Sequence, residues 1–174
     1  MTQTQGQVTE SQTVMYGFAP LIGVNITFKD FIKGSLGATF QYRTSTSYNL
    51  MPSSKNAMED SKSDIAITAT YSRQGFEIPF FGVSLMNNID FSFNYSYGHS
   101  TRFQFNFSDF RAEGIPQEGS VRTTMEPKIR YTMSERVTAS LYYRMTKFTP
   151  DAGGSVIPGS TTKEGGLDVQ IAIK

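Results

Sequence analysis

Side chains that could do acid–base, nucleophilic or metal chemistry are scarce in this sequence. It has one histidine, His99, and no cysteine, which excludes disulfides and thiolate metal sites and leaves a poor basis for zinc. No Ser or Cys constellation can be placed beside His99, and it reads as an interfacial histidine rather than a catalytic one. The remaining chemistry belongs to Asp90, Arg102, Glu126, Lys128, Arg130 and Arg144. They share one parity of alternating segments and read as a salt-bridged, hydrated wall rather than a selective ion site. No glycine-rich phosphate loop follows a strand, and no basic–aromatic surface suggests nucleic acid. The 16 Lys+Arg and 15 Asp+Glu nearly cancel, at +1, so no global field selects a charged partner. Asn25–Thr27, Asn94–Ser96 and Asn106–Ser108 match the glycosylation sequon, but they lie within or at the end of strands and are discounted. No catalytic, cofactor-binding or metal-binding residue is expected.

The stretch that must position these groups is 89–107, I-D-F-S-F-N-Y-S-Y-G-H-S-T-R-F-Q-F-N-F. Side chains alternate faces along a strand. One face therefore carries Ile89, Phe91, Phe93, Tyr95, Tyr97, His99, Thr101, Phe103, Phe105 and Phe107, and the other Asp90, Ser92, Asn94, Ser96, Gly98, Ser100, Arg102, Gln104 and Asn106. A helix would spread both sets around its circumference. Such a run is several times the usual strand of about 5–6 residues. It is also longer than the roughly 9–11 that a tilted strand needs to cross a bilayer.

The same alternation predicts strands over 16–29, 34–50, 63–74, 120–133 and 137–149, and a seventh carrying Leu167, Val169, Ile171 and Ile173. Residues 1–15 read as a polar lead-in and 16–174 as one β unit. The N-terminus lacks the basic and apolar regions of a secretory signal, so the chain reads as mature or as a fragment whose signal lies elsewhere. Short turns are expected near 30 and at 134–136, and long polar loops at 51–60, 108–119 and 150–165. The segment 75–88 breaks the pattern and has no decisive reading. Pro127 falls inside the fifth strand, where a bulge is expected.

Alternation alone is also met in a soluble β-sandwich. Three features point instead to a membrane β-barrel: strand length, polar faces rich in Ser, Thr, Asn, Gln and Gly, and strongly aromatic apolar faces. A mean hydropathy of −0.32 and the lack of a long apolar run exclude a transmembrane helix but do not bear on barrels. The fold expected is all-β, an antiparallel up-and-down transmembrane β-barrel segment of about 7 long strands. Lipid-facing positions are Phe40, Tyr42, Phe91, Phe93, Tyr95, Ile129, Tyr131, Leu141, Tyr143, Val169 and Ile171. Lumen-facing ones are Gln41, Arg43, Ser92, Asn94, Arg102, Lys128, Arg130, Arg144, Asp168 and Gln170. Seven is odd, whereas single-chain bacterial barrels have even strand numbers from eight upward, so the segment is expected to be part of a larger barrel.

Five segments, in order, resemble one family. They are F-A-P-L-I-G-V-N-I-T-F-K-D (Phe18–Asp30), Y-S-R-Q-G-F-E-I-P-F (Tyr71–Phe80), L-M-N-N-I-D-F-S-F (Leu85–Phe93), M-E-P-K-I-R-Y-T-M-S-E-R-V-T-A-S-L-Y-Y-R-M-T (Met125–Thr146) and G-L-D-V-Q-I-A-I-K (Gly166–Lys174). The pattern is similar to SprA/Sov, the outer-membrane translocon of the type IX secretion system of Bacteroidota. The resemblance covers about residues 10–174, and the closing hairpin is its most specific part. It implies a very large single-chain barrel of which these are the C-terminal strands. Such a barrel passes folded cargo, including gliding-motility adhesins, and works with lipoprotein and plug partners. It implies no catalytic residues and no cofactor. Family members are far longer than this chain. The competing expectations are a self-contained small outer-membrane barrel, acting as porin, adhesin or lipid-modifying enzyme, and a soluble β-sandwich binding module.

Overall fold

Period-two sequence produces strands along nearly all of the chain. The computed structural model describes residues 11–78, 83–107, 113–151 and 157–172. It contains β1 (Gln12–Phe31), β2 (Gly34–Met51), β3 (Asn56–Ile78), β4 (Val83–Asn106), β5 (Ile115–Thr132), β6 (Val137–Pro150) and β7 (Ser160–Ile171), with one 3₁₀ turn at Pro52–Ser54. They form a single antiparallel sheet in the order β1-β2-β3-β4-β5-β6-β7. The sheet is open: β1 pairs only with β2, and β7 only with β6.

No second layer of secondary structure covers either face among the described residues, so the two packed sheets of a β-sandwich are not formed. Burial is correspondingly thin. Among the described residues only Ala57, Ile89 and Ser140 are buried, while Leu141 is 54% and Leu167 69% exposed. Backbone pairing and cross-strand contacts hold this sheet in register.

Several boundaries differ from the expected ones. The loop expected at 51–60 is a tight connection. Pro52 opens the 3₁₀ turn, where its fixed φ fits, Lys55 closes it in the left-handed region at φ 54°, and β3 starts at Asn56. Residues 115–119 and 160–165, expected in loops, extend β5 and β7, and β1 begins four residues early. In 75–88, β3 continues to Ile78 and β4 begins at Val83. Gly75 takes φ +66°, and the register moves from Gln74–Asn88 to Phe76–Leu85. Two residues of β4 thus oppose one of β3, which is why alternation fails there. Residues 79–82, 108–112 and 152–156, and the positions of Ile173 and Lys174, lie outside the described residues. No bulge forms at Pro127. The β5–β6 register is the same at Met125–Met145 and at Lys128–Tyr142, so the proline interrupts pairing without adding a residue.

Short turns are built as expected. Ile32 and Lys33, at φ 48° and 60°, form the two-residue β1–β2 connection in the conformation that matches strand twist. The Tyr71 hydroxyl donates to the Ile32 carbonyl at 2.9 Å. At 134–136, the Ser134 hydroxyl oxygen accepts from the backbone N–H groups of Arg136 and Val137.

Candidate functional site

The candidate site is the sheet itself, with its two unlike faces. Residues joined across neighbouring strands form rows, and each row lies on one face. One row runs Phe28–Leu36–Tyr71–Phe91–Ile129–Leu141–Leu167; the next but one above it runs Val24–Phe40–Ile67–Tyr95–Met125–Met145–Lys163. All the positions expected to face lipid, from Phe40 to Ile171, share this face. All those expected to face a lumen, from Gln41 to Gln170, share the other.

The apolar face is not apolar throughout. On β4 its unbroken run is Ile89–Tyr97, followed by His99 and Thr101. On β1 the run reaches up to Val14, in the row of Phe103. On β2, β3 and β4 it stops at the row of Tyr97, and on β5 and β6 at Met125 and Met145, in the row of Tyr95. On β7 it stops at Leu167, in the row of Phe91. The upper edge therefore descends twelve residue positions over six interstrand steps, most of it between β1 and β2 and between β6 and β7. The lower edge descends only two, from Phe31, which pairs with Gly34 below the Leu36 row, to Ile171, which shares a row with Val137. Averaged over its two edges, the apolar band slopes by about one residue per strand. With about 3.3 Å per residue and about 4.8 Å between strands, a level band tilts the strands by about 35°. Three cations on this face, Arg73, Lys147 and Lys163, all sit just outside the sloping edges.

His99 occupies the first row above the band. Its Nε2 lies 3.1 Å from Asp151 Oδ2. The Asp151 side chain reaches it by lying over Gly119, where a Cβ would come within 2.7 Å of the Asp151 Cβ. Above this row the strands continue, with β4 running nine residues past Tyr97 to Asn106, about 30 Å of paired sheet.

Two carboxylate–arginine–carboxylate bridges cross the polar face. Arg144 on β6 donates from Nε to Glu126 at 2.7 Å and from Nη1 to Glu164 at 2.9 Å. Arg102 on β4 donates from Nε to Asp60 at 2.7 Å and reaches Glu118 with Nη1 at 3.4 Å. The hydrogen bond and charge of Asp60 hold the Arg102 guanidinium above its ordinary pKa. Arg102 is 40% exposed, so each contact contributes about 0.2–1 kcal/mol. Sequence reading named both arginines but not their partners Asp60, Glu118 and Glu164, which lie where loops were expected. Alternate positions on an extended 51–60, 108–119 or 150–165 would have been the signal.

Charge on this face balances. Among the described residues paired between the row of Asp90 and the row of Arg102 stand Arg43, Lys62, Arg102, Arg122, Lys128, Arg130 and Arg144. Against them stand Asp60, Asp64, Asp90, Glu118, Glu126, Glu164 and Asp168, seven of each sign. Such a face carries no net field to select ions by sign. Among the described residues no group of three or more His, Cys, Asp or Glu side chains could hold a metal.

No protein family, curated protein or solved structure matches this chain.

The arrangement thus offers a ribbon with an oblique apolar stripe on one side, and a neutral, hydrogen-bonded surface on the other. Ser72 donates to Asp90 at 2.6 Å, Thr39 to Asn25 at 2.8 Å, and Ser100 pairs with Ser120 at 3.0 Å.

Proposed function

We propose that this chain is a wall segment of an outer-membrane β-barrel, its apolar stripe against lipid and its polar face towards an aqueous lumen. The observation that carries this reading is the slope of the apolar band. Barrel strands tilt by about 35–45°, so a level bilayer must cut the rows of a barrel wall obliquely. A wetted sheet in water has no reason to keep such a line across seven strands. On β4 the band is about 26 Å long along the strand and about 22 Å once tilted, close to the roughly 25 Å band of such barrels. Arg73, Lys147 and Lys163 then fall at the interfaces, where a cation costs about 0–1 kcal/mol.

Within that class, the five ordered segments support a protein-translocation channel of the SprA/Sov kind. The chain would form C-terminal strands of its barrel, completed by upstream strands of the same wall, in the outer membrane of a Gram-negative, Bacteroidota-like cell. Its role is transport without catalysis. Folded secreted cargo, including gliding-motility adhesins, passes the lumen, and lipoprotein and plug partners act on it. A charge-balanced wall suits such traffic, since it neither traps nor repels cargo by sign. Depleting the protein in its own cell and comparing periplasmic with secreted proteins tests this. Cargo retained in the periplasm is expected; unchanged secretion together with lost uptake of small solutes would indicate a porin instead.

A further inference from the structure

Two lysines stand together where the apolar band ends on β6 and β7. Lys147 is the next residue of this face above Met145, and Lys163 is the second above Leu167. Met145 pairs with Lys163, and Lys147 with Thr161. The lysines are therefore diagonal neighbours on adjacent strands, within reach of one shared group for side chains this long. Lys163 lies two rows below Lys147 and one strand further on, so the slope of the band brings both to the same depth within about a residue. Both are exposed. Neither forms an ion pair among the described residues, whereas Arg102 and Arg144 on the other face are each held by two carboxylates. Asp151, four residues beyond Lys147, lies against His99.

An apolar groove opens directly below the lysines. Its volume is about 460 Å³, and Pro127, Ile129, Leu141, Tyr143, Gly165 and Leu167 are among the residues that line it. Gly165 is the next residue of this face below Lys163 and leaves the upper end open. From Pro127 and Ile129 a second groove of about 300 Å³ continues past Phe91 and Tyr71 to Leu36. The path follows the rows from β7 to β2, five interstrand steps. With strands tilted by about 35°, each step lowers it by about 2.8 Å and the whole path by about 14 Å. That is about one leaflet of a hydrocarbon core roughly 30 Å thick.

Resting on the membrane reading, we infer that the lysine pair and this groove hold one lipid of the outward leaflet. Its phosphomonoester headgroup sits on Lys147 and Lys163, and an acyl chain lies along the groove. A phosphomonoester carries about −1.5 to −2 charges at neutral pH, which matches two ammonium groups better than the single charge of a phosphodiester. The short turns at the opposite end of the sheet put this leaflet outside.

Photolabelling in phosphatidylcholine bilayers tests this on the full chain in its complete wall. The bilayers carry a trace of phosphatidic acid, phosphatidylglycerol or phosphatidylcholine with a diazirine in the acyl chain, and labelling of the groove peptides is measured. Phosphatidic acid, the phosphomonoester, should label them most strongly. Each of Lys147→Gln and Lys163→Gln should weaken that labelling about fivefold. The double replacement by Arg should retain it, as should Lys62→Gln and Lys128→Gln on the polar face. Gly165→Leu, which keeps both lysines, should weaken it by filling the groove. Equal groove labelling by all three lipids, or a preference that survives loss of both lysines, would overturn the inference and leave the membrane reading intact. So would displacement of the label by inorganic phosphate, which would make this a site for a soluble anion. Absence of labelling by any lipid anywhere on the apolar face would overturn the membrane reading, and the inference with it.

Discussion

At the residue scale, the two faces differ in what they tolerate, and neighbours one position apart make the contrast clean. Phe93 sits mid-band on β4 and Asn94 points to the other face. On the proposed membrane reading, Phe93→Arg places a guanidinium in lipid at about 2–4 kcal/mol near the midplane, whereas Asn94→Arg adds one charge to a hydrated wall. A membrane-assembly assay should show Phe93→Arg strongly depleted and Asn94→Arg near the parent level; equal tolerance would contradict the assignment of faces. Tyr48 gives a second residue-scale test, six positions above the end of the β2 band at Tyr42. Its ring lies 6.2 Å from that of Tyr16. Its phenol is pushed up to about 12, first by the hydrogen bond with Tyr16, then by burial and the negative charge of Glu59. A raised folded-state pKa means the proton is held more tightly in the folded chain. The stabilisation is therefore complete below pH of about 10 and is lost as pH rises through about 12. Alkaline absorbance titration should show this late tyrosine, and Tyr16→Phe should bring it down.

At the element scale, the strands are longer than their apolar content requires. The band abuts the end carrying the Ile32–Lys33 and 134–136 turns, and the sheet overshoots at the end carrying the Pro52–Ser54 turn. Barrels of this kind keep short turns on the periplasmic side and project their longer connections outward. A tag inserted at Ser54 should be labelled on intact cells, and one at Glu135 only after permeabilisation; the reverse would invert the topology. The tag belongs at Ser54 rather than at Ala57, which is a buried strand residue. Legibility in the sequence follows the same division. Within the band one face is apolar and the other polar, so period two is plain from Leu36 to Tyr42 or Ile89 to Tyr97. In the overshoot of β3 and β5 both faces are largely polar, as around Asp60–Lys62 and Glu118, and alternation disappears although pairing continues. That is why those strand extensions read as loops, and why Asp60, Glu118 and Glu164 were not found as partners of Arg102 and Arg144.

At the scale of the whole molecule, the sheet is an unfinished object: two faces uncovered and two edges unpaired among the described residues. Its strand order, direction and faces were readable from period two, because a one-residue slip would exchange every side chain between faces. The slope of the band was not readable, since it depends on register between strands, and alternation within a strand carries no register. The slope is also the feature that separates a membrane wall from any other ribbon, so it is the one to measure. With nitroxide labels on single cysteines in native outer membranes, accessibility to oxygen and to a polar relaxation agent reports depth. Replacements at Val24, Phe93, Leu141 and Val169 lie in different rows but on one sloping line mid-band, and should report one common, deep position. Val24 and Lys163 share a row, yet Lys163→Cys should report a position at the aqueous interface. Equal depth for Val24 and Lys163, or access of the polar agent at all four mid-band sites, would contradict a tilted wall in a bilayer.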